Sequence, residues 1–327
     1  MRAVTIHETG PAAGHRVEQI ADPIPGAGQV VVRTHAIGVN YPDMLVVEGK
    51  YQLIPPRPFS PGKEAAGVVC AVGEGVEGFA LGDRVLLLPE YGAFAEQVAV
   101  DARVVFPVPD AIGFDDAAAL GLTYQTAHFA LVERAMLRSG ESVLVTGASG
   151  GVGLATVELA KALGARVIAG VTSPDKGQLA LEHGADAFVN LAAEKLRDSL
   201  RDEVARVTGG GVDVVIDNVG GDVFDAALRA IAWRGRLVVV GFASSRIPEL
   251  KANYLLLKNI AVLGLQWTDY RARMPQLVAQ VQQEIFRLFE QGRLRPHISA
   301  RYALNDFAQA LDRFNRRDVR GKMLLIP

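Results

Sequence analysis

The stretch Ser142 to Gly153, SVLVTGASGGVG, carries the plainest chemistry in the chain. Its β-branched run Val143-Leu144-Val145 stops at Thr146-Gly147, and Ala148-Ser149-Gly150-Gly151-Val152-Gly153 opens an amphipathic segment. Strand, tight glycine turn and helix make the geometry that receives a dinucleotide pyrophosphate. Glycines let phosphate oxygens approach the backbone amides with no side chain between. The helix N-terminus adds unpaired N–H groups and a partial positive charge. The spacing is Ala-x-Gly-x-x-Gly, a variant with Ala148 at the first glycine position. Alone, such a turn is a weak signal, and its weight depends on the strands and helices C-terminal to it.

An NAD site usually places an acid about 20 residues past the first glycine, where it holds the ribose hydroxyls. Here the second strand ends Ala169-Gly170-Val171-Thr172-Ser173, with no acid before Asp175. Small neutral groups at Gly170 and Ser173 leave room for a 2′-phosphate, and Lys176 stands close enough in sequence to pair with it. On its own Lys176 reads first as a solvated helix lysine. The acid-free strand end favours the phosphate, so the expected cofactor is NADPH rather than NADH.

Elements that position this turn are legible on both sides of it. From Met1 to about Gly121 short β-branched runs alternate with Gly, Pro and Asp breaks: MRAVTI, QVVVRTHAIGVN, AAGVVCAVGEGV, GDRVLLL and FAEQVAV. Short, evenly spaced strands without helical periods predict a small barrel-like β domain. The loop 51–61 holds four prolines and is expected to be extended. Asp115-Asp116 ahead of three alanines marks a helix start. After the glycine turn, strands are predicted at 166–170, 187–190, 212–217, 236–242 and 260–265, joined by helical segments that include 192–206 and 222–232. With the run at 143–145 this makes six strands and a parallel doubly wound sheet. A long amphipathic helix (274–291), a strand-like ISARYAL, a helix (305–314) and MLLIP close the chain.

Bulk properties narrow the class. A chain of 327 residues with half of them apolar and a net charge of -2 is ordinary globular protein. It has no block of like charges to suit nucleic acid or a membrane surface. MRAVTIHETG has no apolar core for a signal peptide, and no run reaches the ~18 apolar residues of a membrane span. A single cysteine, Cys70, excludes a disulfide framework and a thiolate metal site. A cytoplasmic protein is expected.

Gly38-Val39-Asn40, Pro61-Gly62, Ala66-Gly67-Val68, Val72-Gly73, Gly82-Asp83-Arg84-Val85, Gly147 to Gly153, Val214 to Gly220 and Val240-Gly241 occur in order across nearly the whole chain. This set resembles the medium-chain dehydrogenase/reductases, and within them the zinc-free quinone oxidoreductases similar to zeta-crystallin. The resemblance implies an α/β fold, a doubly wound parallel Rossmann sheet plus a β-rich GroES-like barrel domain. Residues 1–122 and 267–327 would form the substrate domain and 123–266 the dinucleotide domain. The zinc alcohol dehydrogenase branch carries a Cys at the position of Asn40 and Gly-His-Glu where this chain has Gly62-Lys63-Glu64. Zinc needs thiolate, imidazole or carboxylate ligands closing a tetrahedron, so no metal is expected. Without that Lewis acid an alcohol is a poor substrate, whereas quinones and activated alkenes accept hydride with less help.

Carried over by position, Asn40 would lie beside the nicotinamide and substrate and Tyr51 would line the substrate cleft. Thr123, Gly150, Gly151, Val152, Gly170, Ser173, Lys176, Asn218, Gly241 and Phe242 match cofactor positions, as does Arg317 among several charged neighbours. Asn40 also reads as a turn-capping amide, Tyr51 as a loop tyrosine, Asp43 as a turn acid, and Lys63 as either an anion partner or half of a salt bridge. Leu45 and Leu191 stand where some bacterial relatives carry tyrosines. The implied activity is NADPH-dependent quinone reduction. Alternatives are reduction of the C=C bond of enones, alkenals or enoyl thioesters, and a non-catalytic NADPH binder of the crystallin or RNA-binding kind. A homodimer is implied through the last sheet strand, IAVLGL.

Overall fold

β-Branched runs and glycine stops organise the chain into two units. One comprises Met1–Leu122, Tyr270–Glu290 and Pro296–Pro327, the other Thr123–Asp269 and Gln291–Arg295, in a computed structural model that describes residues 1–327. Strands β1 (Arg2–Thr5), β2 (Arg16–Gln19) and β3 (Gln29–Val39) precede helix α1 (Tyr41–Val47), and β4 (Ala65–Val72), β5 (Arg84–Leu87), β6 (Gln97–Asp101) and β7 (Val105–Pro107) come after it. Helices α2 (Phe114–Ala119) and α3 (Leu122–His128) lead to β8 (Ser142–Thr146). Strands and helices then alternate as α4 (Gly151–Ala162), β9 (Arg166–Val171), α5 (Pro174–Glu182), β10 (Ala187–Asn190), α6 (Leu196–Thr208) and β11 (Val212–Asp217). The series ends with α7 (Gly221–Ala230), β12 (Ile231–Val239), α8 (Asn253–Lys258) and β13 (Ala261–Gly264). The chain closes with α9 (Trp267–Arg273), α10 (Pro275–Glu290), β14 (Ile298–Ala303), α11 (Phe307–Asn315) and β15 (Lys322–Ile326).

In the unit that holds the glycine turn, six parallel strands lie in the order β10-β9-β8-β11-β12-β13. Val143, Leu144 and Val145 on β8 are fully buried. Central parallel strands are covered on both faces, which is why they read as unbroken apolar runs. Chain order reverses between β8 and β11, the switch point beside which doubly wound sheets bind ligands at their C-terminal strand ends. The junction of α7 and β12 lies several residues from the expectation. The helix predicted to 232 stops at Ala230 and β12 starts at Ile231, because Ile231 pairs with Val212 before the register shifts to Val214↔Arg236. Strand pairing there overrides a locally helical pattern.

In the other unit the sheet order is β14-β15-β3-β4-β5-β7, with β6 also on β3. The closing strand β15 therefore returns to a strand near the start of the chain. It runs antiparallel to β3 in the register Met323↔Val39, Leu324↔Gly38 and Leu325↔Ile37. Ile37 in turn pairs with Ala65 of β4. Helix α1 lies in a region expected to hold strands only. It starts after extended Asn40, with Pro42 in its first turn and Asp43 reaching back to the chain that enters it. Seven residues are too few to show a helical period.

Gly153, one turn into α4, packs so close to the preceding loop that a Cβ there would collide with the Gly147 carbonyl. Gly153→Ala should force the turn apart and lower stability by about 1–3 kcal/mol, the usual range for overpacking. Equilibrium urea denaturation measures it, and an unchanged midpoint would show that the turn yields freely.

Candidate active site

At the C-terminal ends of the parallel strands, two neighbours are tied by side chains. Asp217 at the end of β11 accepts from Thr146 Oγ1 at 2.7 Å and from the Val219 and Gly220 amides at 3.2 Å. Burial raises its carboxyl above the ordinary range, opposed by these hydrogen bonds. The amide N–H of Asn218 donates to Thr146 Oγ1 at 3.0 Å and its Nδ2 donates to the Thr146 carbonyl at 2.9 Å. That fixes the Asn218 amide in one orientation. Its Oδ1 is buried and has no partner. A buried acceptor left open costs about 1–3 kcal/mol, so a ligand that brings a donor to this strand end gains by filling it.

Most of the other predicted nucleotide residues follow or end strands of the same sheet. Gly150 caps α4, and Gly151 and Val152 form its first turn. Gly170 sits on β9 opposite Thr146, where a Cβ would press on Leu191. Ser173 caps α5 with Lys176 in its first turn, and Gly241-Phe242 follow β12 directly, with Phe242 partly exposed. Thr123 lies buried in α3. These residues fit a dinucleotide: the start of α4 offers free backbone amides, no acid guards the second strand, and one amide oxygen awaits a donor.

Asn40, Tyr51 and Arg317 belong to the other unit. Asn40 sits where three strands end. The β15–β3 register brings Lys322 beside it, and the β3–β4 pairing brings Glu64 beside both. Lys322 Nζ donates to Asn40 Oδ1 at 2.6 Å and to Glu64 Oε2. Asn40 Nδ2 donates to Glu64 Oε2 at 3.1 Å and the Gly38 carbonyl at 3.3 Å. Glu64 Oε1 accepts from the Leu122 amide at 2.6 Å. Gly38 must be glycine, because a Cβ there would strike the Glu64 carboxylate. Glu64 and Lys322 are 0% and 4% exposed. The Asn40 side chain is thus engaged on both its amide groups. Arg317 is exposed, with φ 55, between α11 and β15.

Asp43, fully buried, is the acid whose proton affinity changes most in this cluster. Its Oδ2 accepts from the Asn40 amide at 2.8 Å, and its Oδ1 has no partner. Burial pushes the carboxyl up from 3.8 to about 7, against the pull of Lys63 and Lys322 and with help from Glu64. Nearby, Lys63 Nζ donates to the Glu90 carbonyl at 2.8 Å and to Glu90 Oε1, while Arg271 binds Glu90 Oε2. The Lys63 ammonium also lies 4.8 Å from the Tyr51 ring centroid. Burial, then Glu90, raise the Tyr51 phenol to about 12, so it remains a hydrogen-bond donor throughout the neutral range. Lys322, Glu90 and Arg271 were not singled out by the sequence, although one lysine opening an apolar closing strand, KMLLI, was a signal.

Two family models match the chain, an alcohol dehydrogenase GroES-like domain over residues 26–110 and a zinc-binding dehydrogenase over residues 151–283. Quinone oxidoreductase-like protein 2 of Bos taurus is 40% identical over 299 residues, covering 91% of this chain and 84% of that protein. The chain belongs to the quinone oxidoreductase branch of the medium-chain dehydrogenase/reductases. Among solved structures, Escherichia coli quinone oxidoreductase complexed with NADPH superposes with TM-score 0.92 at 30% identity, covering all of both chains. A mycobacterial protein complexed with NADPH superposes with TM-score 0.93 at 31% identity, also over both full chains. The fold is the family's, a parallel Rossmann sheet with a GroES-like domain. The donors at Asn40 and Glu64 meet an ammonium, and no group of three or more His, Cys, Asp and Glu side chains is placed to hold a metal ion.

Lys322→Met strands Glu64 as an uncompensated buried charge and should cost about 3–5 kcal/mol. The double variant Lys322→Met/Glu64→Gln should recover part of that loss, as read by urea denaturation; additive losses would show that the pair is not coupled. For Asp43, the unfolded carboxyl ionises near its ordinary 3.8 while the folded one holds its proton to about 7. Its contribution to stability is therefore full below about pH 4 and is lost as pH rises through about 7. Asp43→Asn should flatten the fall in unfolding free energy between pH 4 and 7, and a slope identical to the parent chain's would contradict this.

Proposed function

We propose that this chain is an NADPH-dependent quinone reductase that works without a metal. The observation that carries this reading is the Lys322 ammonium seated on Asn40 and Glu64, a fixed cation beside the position where the zinc branch carries a cysteine. Alcohol oxidation needs a stabilised alkoxide, whereas reduction of an electron-poor acceptor needs chiefly a hydride donor and alignment. When bound, the nicotinamide supplies that hydride. The protein's own groups hold and orient. The α4 amides at Gly150, Gly151 and Val152 would bind the pyrophosphate, Lys176 the 2′-phosphate in the space left by Gly170 and Ser173, and the open Asn218 Oδ1 one cofactor donor. Thr123, Gly241, Phe242 and Arg317 complete the proposed cofactor set. Asn40, held by Lys322 and Glu64, would lie beside the nicotinamide. Tyr51 would face the acceptor as a phenol donor.

A phenol donor serves the carbonyl of an enone or enoyl thioester as well as that of a quinone, which keeps double-bond reduction as the second reading. NADPH oxidation measured side by side with a para-quinone, an ortho-quinone, an alkenal and crotonyl-CoA decides between them. The expected order is quinones first. Oxidation by crotonyl-CoA alone would replace the proposal with the second reading, and oxidation by none would favour a binder.

The proposed assembly is a homodimer through β13, the outer strand of its sheet. An edge strand offers unpaired backbone groups, and Leu256 and Leu257 on the preceding α8 are 78% and 73% exposed. No helix is long and apolar enough to cross a membrane, in keeping with the proposed cytoplasmic location. Light scattering should return twice the 34.9 kDa chain mass; a monomer mass would refute the dimer. Lys176→Ala should weaken NADPH binding about tenfold, the scale of one charge-assisted hydrogen bond, with NADH nearly unchanged. Titration of cofactor fluorescence measures both, and equal effects would remove the phosphate assignment.

A further inference from the structure

Lys63 is almost fully buried, and its surroundings are built for one ammonium position. A lysine ammonium has three protons to donate. Two acceptors come from Glu90, its backbone carbonyl and Oε1. The face of the Tyr51 ring, 4.8 Å away at its centroid, supplies a third and softer partner. Glu90 cannot swing to quench this charge fully, because its Oε2 is held by Arg271, which also binds the Leu88 carbonyl. Two cations thus share one carboxylate, and the group keeps one net positive charge. Asp43, another carboxyl that feels Lys63, is pushed up to about 7 by burial and adds its negative charge only as pH rises through that value. Away from bulk water such a charge acts over several ångströms with little screening.

A cation behind an aromatic ring draws electron density toward itself. The opposite face of Tyr51 is then poorer in electrons and better suited to a flat partner that is gaining negative charge. A neutral quinone gains little from such a face. On receiving a hydride it becomes the hydroquinone monoanion, which takes one proton from solvent to give the hydroquinone. The interaction is therefore stronger after charge has arrived than before, the condition under which a contact raises kcat rather than lowering KM. We infer that Lys63, acting through the ring of Tyr51, is a positioning residue that selects flat ring acceptors whose reduction leaves an anion spread over an aromatic ring, quinones above aliphatic enones. This rests on the reductase reading and deepens it.

Lys63→Met keeps the stem length and leaves Glu90 its Arg271 partner, and the melting midpoint and NADPH affinity establish that the variant is folded. With 1,4-benzoquinone, kcat should fall about tenfold and KM stay within twofold, while kcat for a linear alkenal should change less than threefold. Lys63→Arg, which keeps the charge, should recover the quinone rate to within threefold of the parent. A binding measurement free of turnover uses 4-nitrophenolate and nitrobenzene as anionic and neutral flat rings. Lys63→Met should weaken the first about tenfold and the second by less than twofold. Tyr51→Leu, which removes the ring but leaves Lys63, Glu90 and Arg271 in place, should abolish the same preference, and adding Lys63→Met to it should cost nothing more. Equal losses for both rings and both acceptors, additive losses in the double variant, or an unchanged quinone kcat would each overturn the inference. A parent chain that oxidises NADPH with neither acceptor overturns the reductase reading and this inference together. A parent chain active on quinones with additive variants overturns the inference alone.

Discussion

A charge taken out of water must be met by opposite charge and by hydrogen bonds, or the fold that buries it is not stable. Lys322 and Glu64 are such charges, and much of their unit is shaped by satisfying them. Asn40 bridges the pair, the Leu122 amide takes the second Glu64 oxygen, and Gly38 leaves the room that the carboxylate occupies. None of these residues can move alone. The three strands that deliver them are equally constrained, since a one-residue slip of β15 on β3 would turn Lys322 to the other face and leave Glu64 alone. Register and charge pairing specify each other.

A second cluster a few residues away obeys the same rule with a different result. Lys63 and Arg271 share Glu90, so compensation stops one charge short. Asp43, enclosed near both lysines, makes up the difference only in part below about pH 7, because burial pushes its carboxyl up to about 7. The unit therefore carries one ion pair neutralised for stability and one cluster left with a surplus beside an aromatic ring. The first suits a scaffold. The second suits chemistry in which negative charge appears on a substrate.

In the dinucleotide-type unit the corresponding device is the Thr146–Asp217–Asn218 link between β8 and β11. Here the buried acid is spent on backbone amides and one hydroxyl, and the asparagine is left with an open oxygen at the switch point of the sheet. Strand pairing sets the crest on which the glycine turn, Gly170 and the α5 cap line up. The β12 start shows the same priority, since Ile231 goes with its partner Val212 and not with the helical pattern of its own segment.

Legible from the residues alone was whatever depends on local periodicity and local backbone freedom. The apolar runs from β8 to β13, the glycine turn before α4 and the acid-free end of β9 are all of that kind. The short helix α1 escaped because seven residues carry no period. Asp43, read as a turn acid, is in the first turn of that helix and buried. Lys63, read as half of a salt bridge or an anion partner, has its bridge in Glu90 and a ring besides. Lys322 had no visible partner, because Asn40 and Glu64 lie 282 and 258 residues away along the chain. The strand-turn-helix alternation and the residue types offered to a dinucleotide were already set in the linear chain, since those depend on neighbouring side chains. Which charges meet, which is left over, and what Asn40 is bound to were settled only when β3, β4 and β15 paired, because electrostatic compensation is set by distance in space and not by order in the chain.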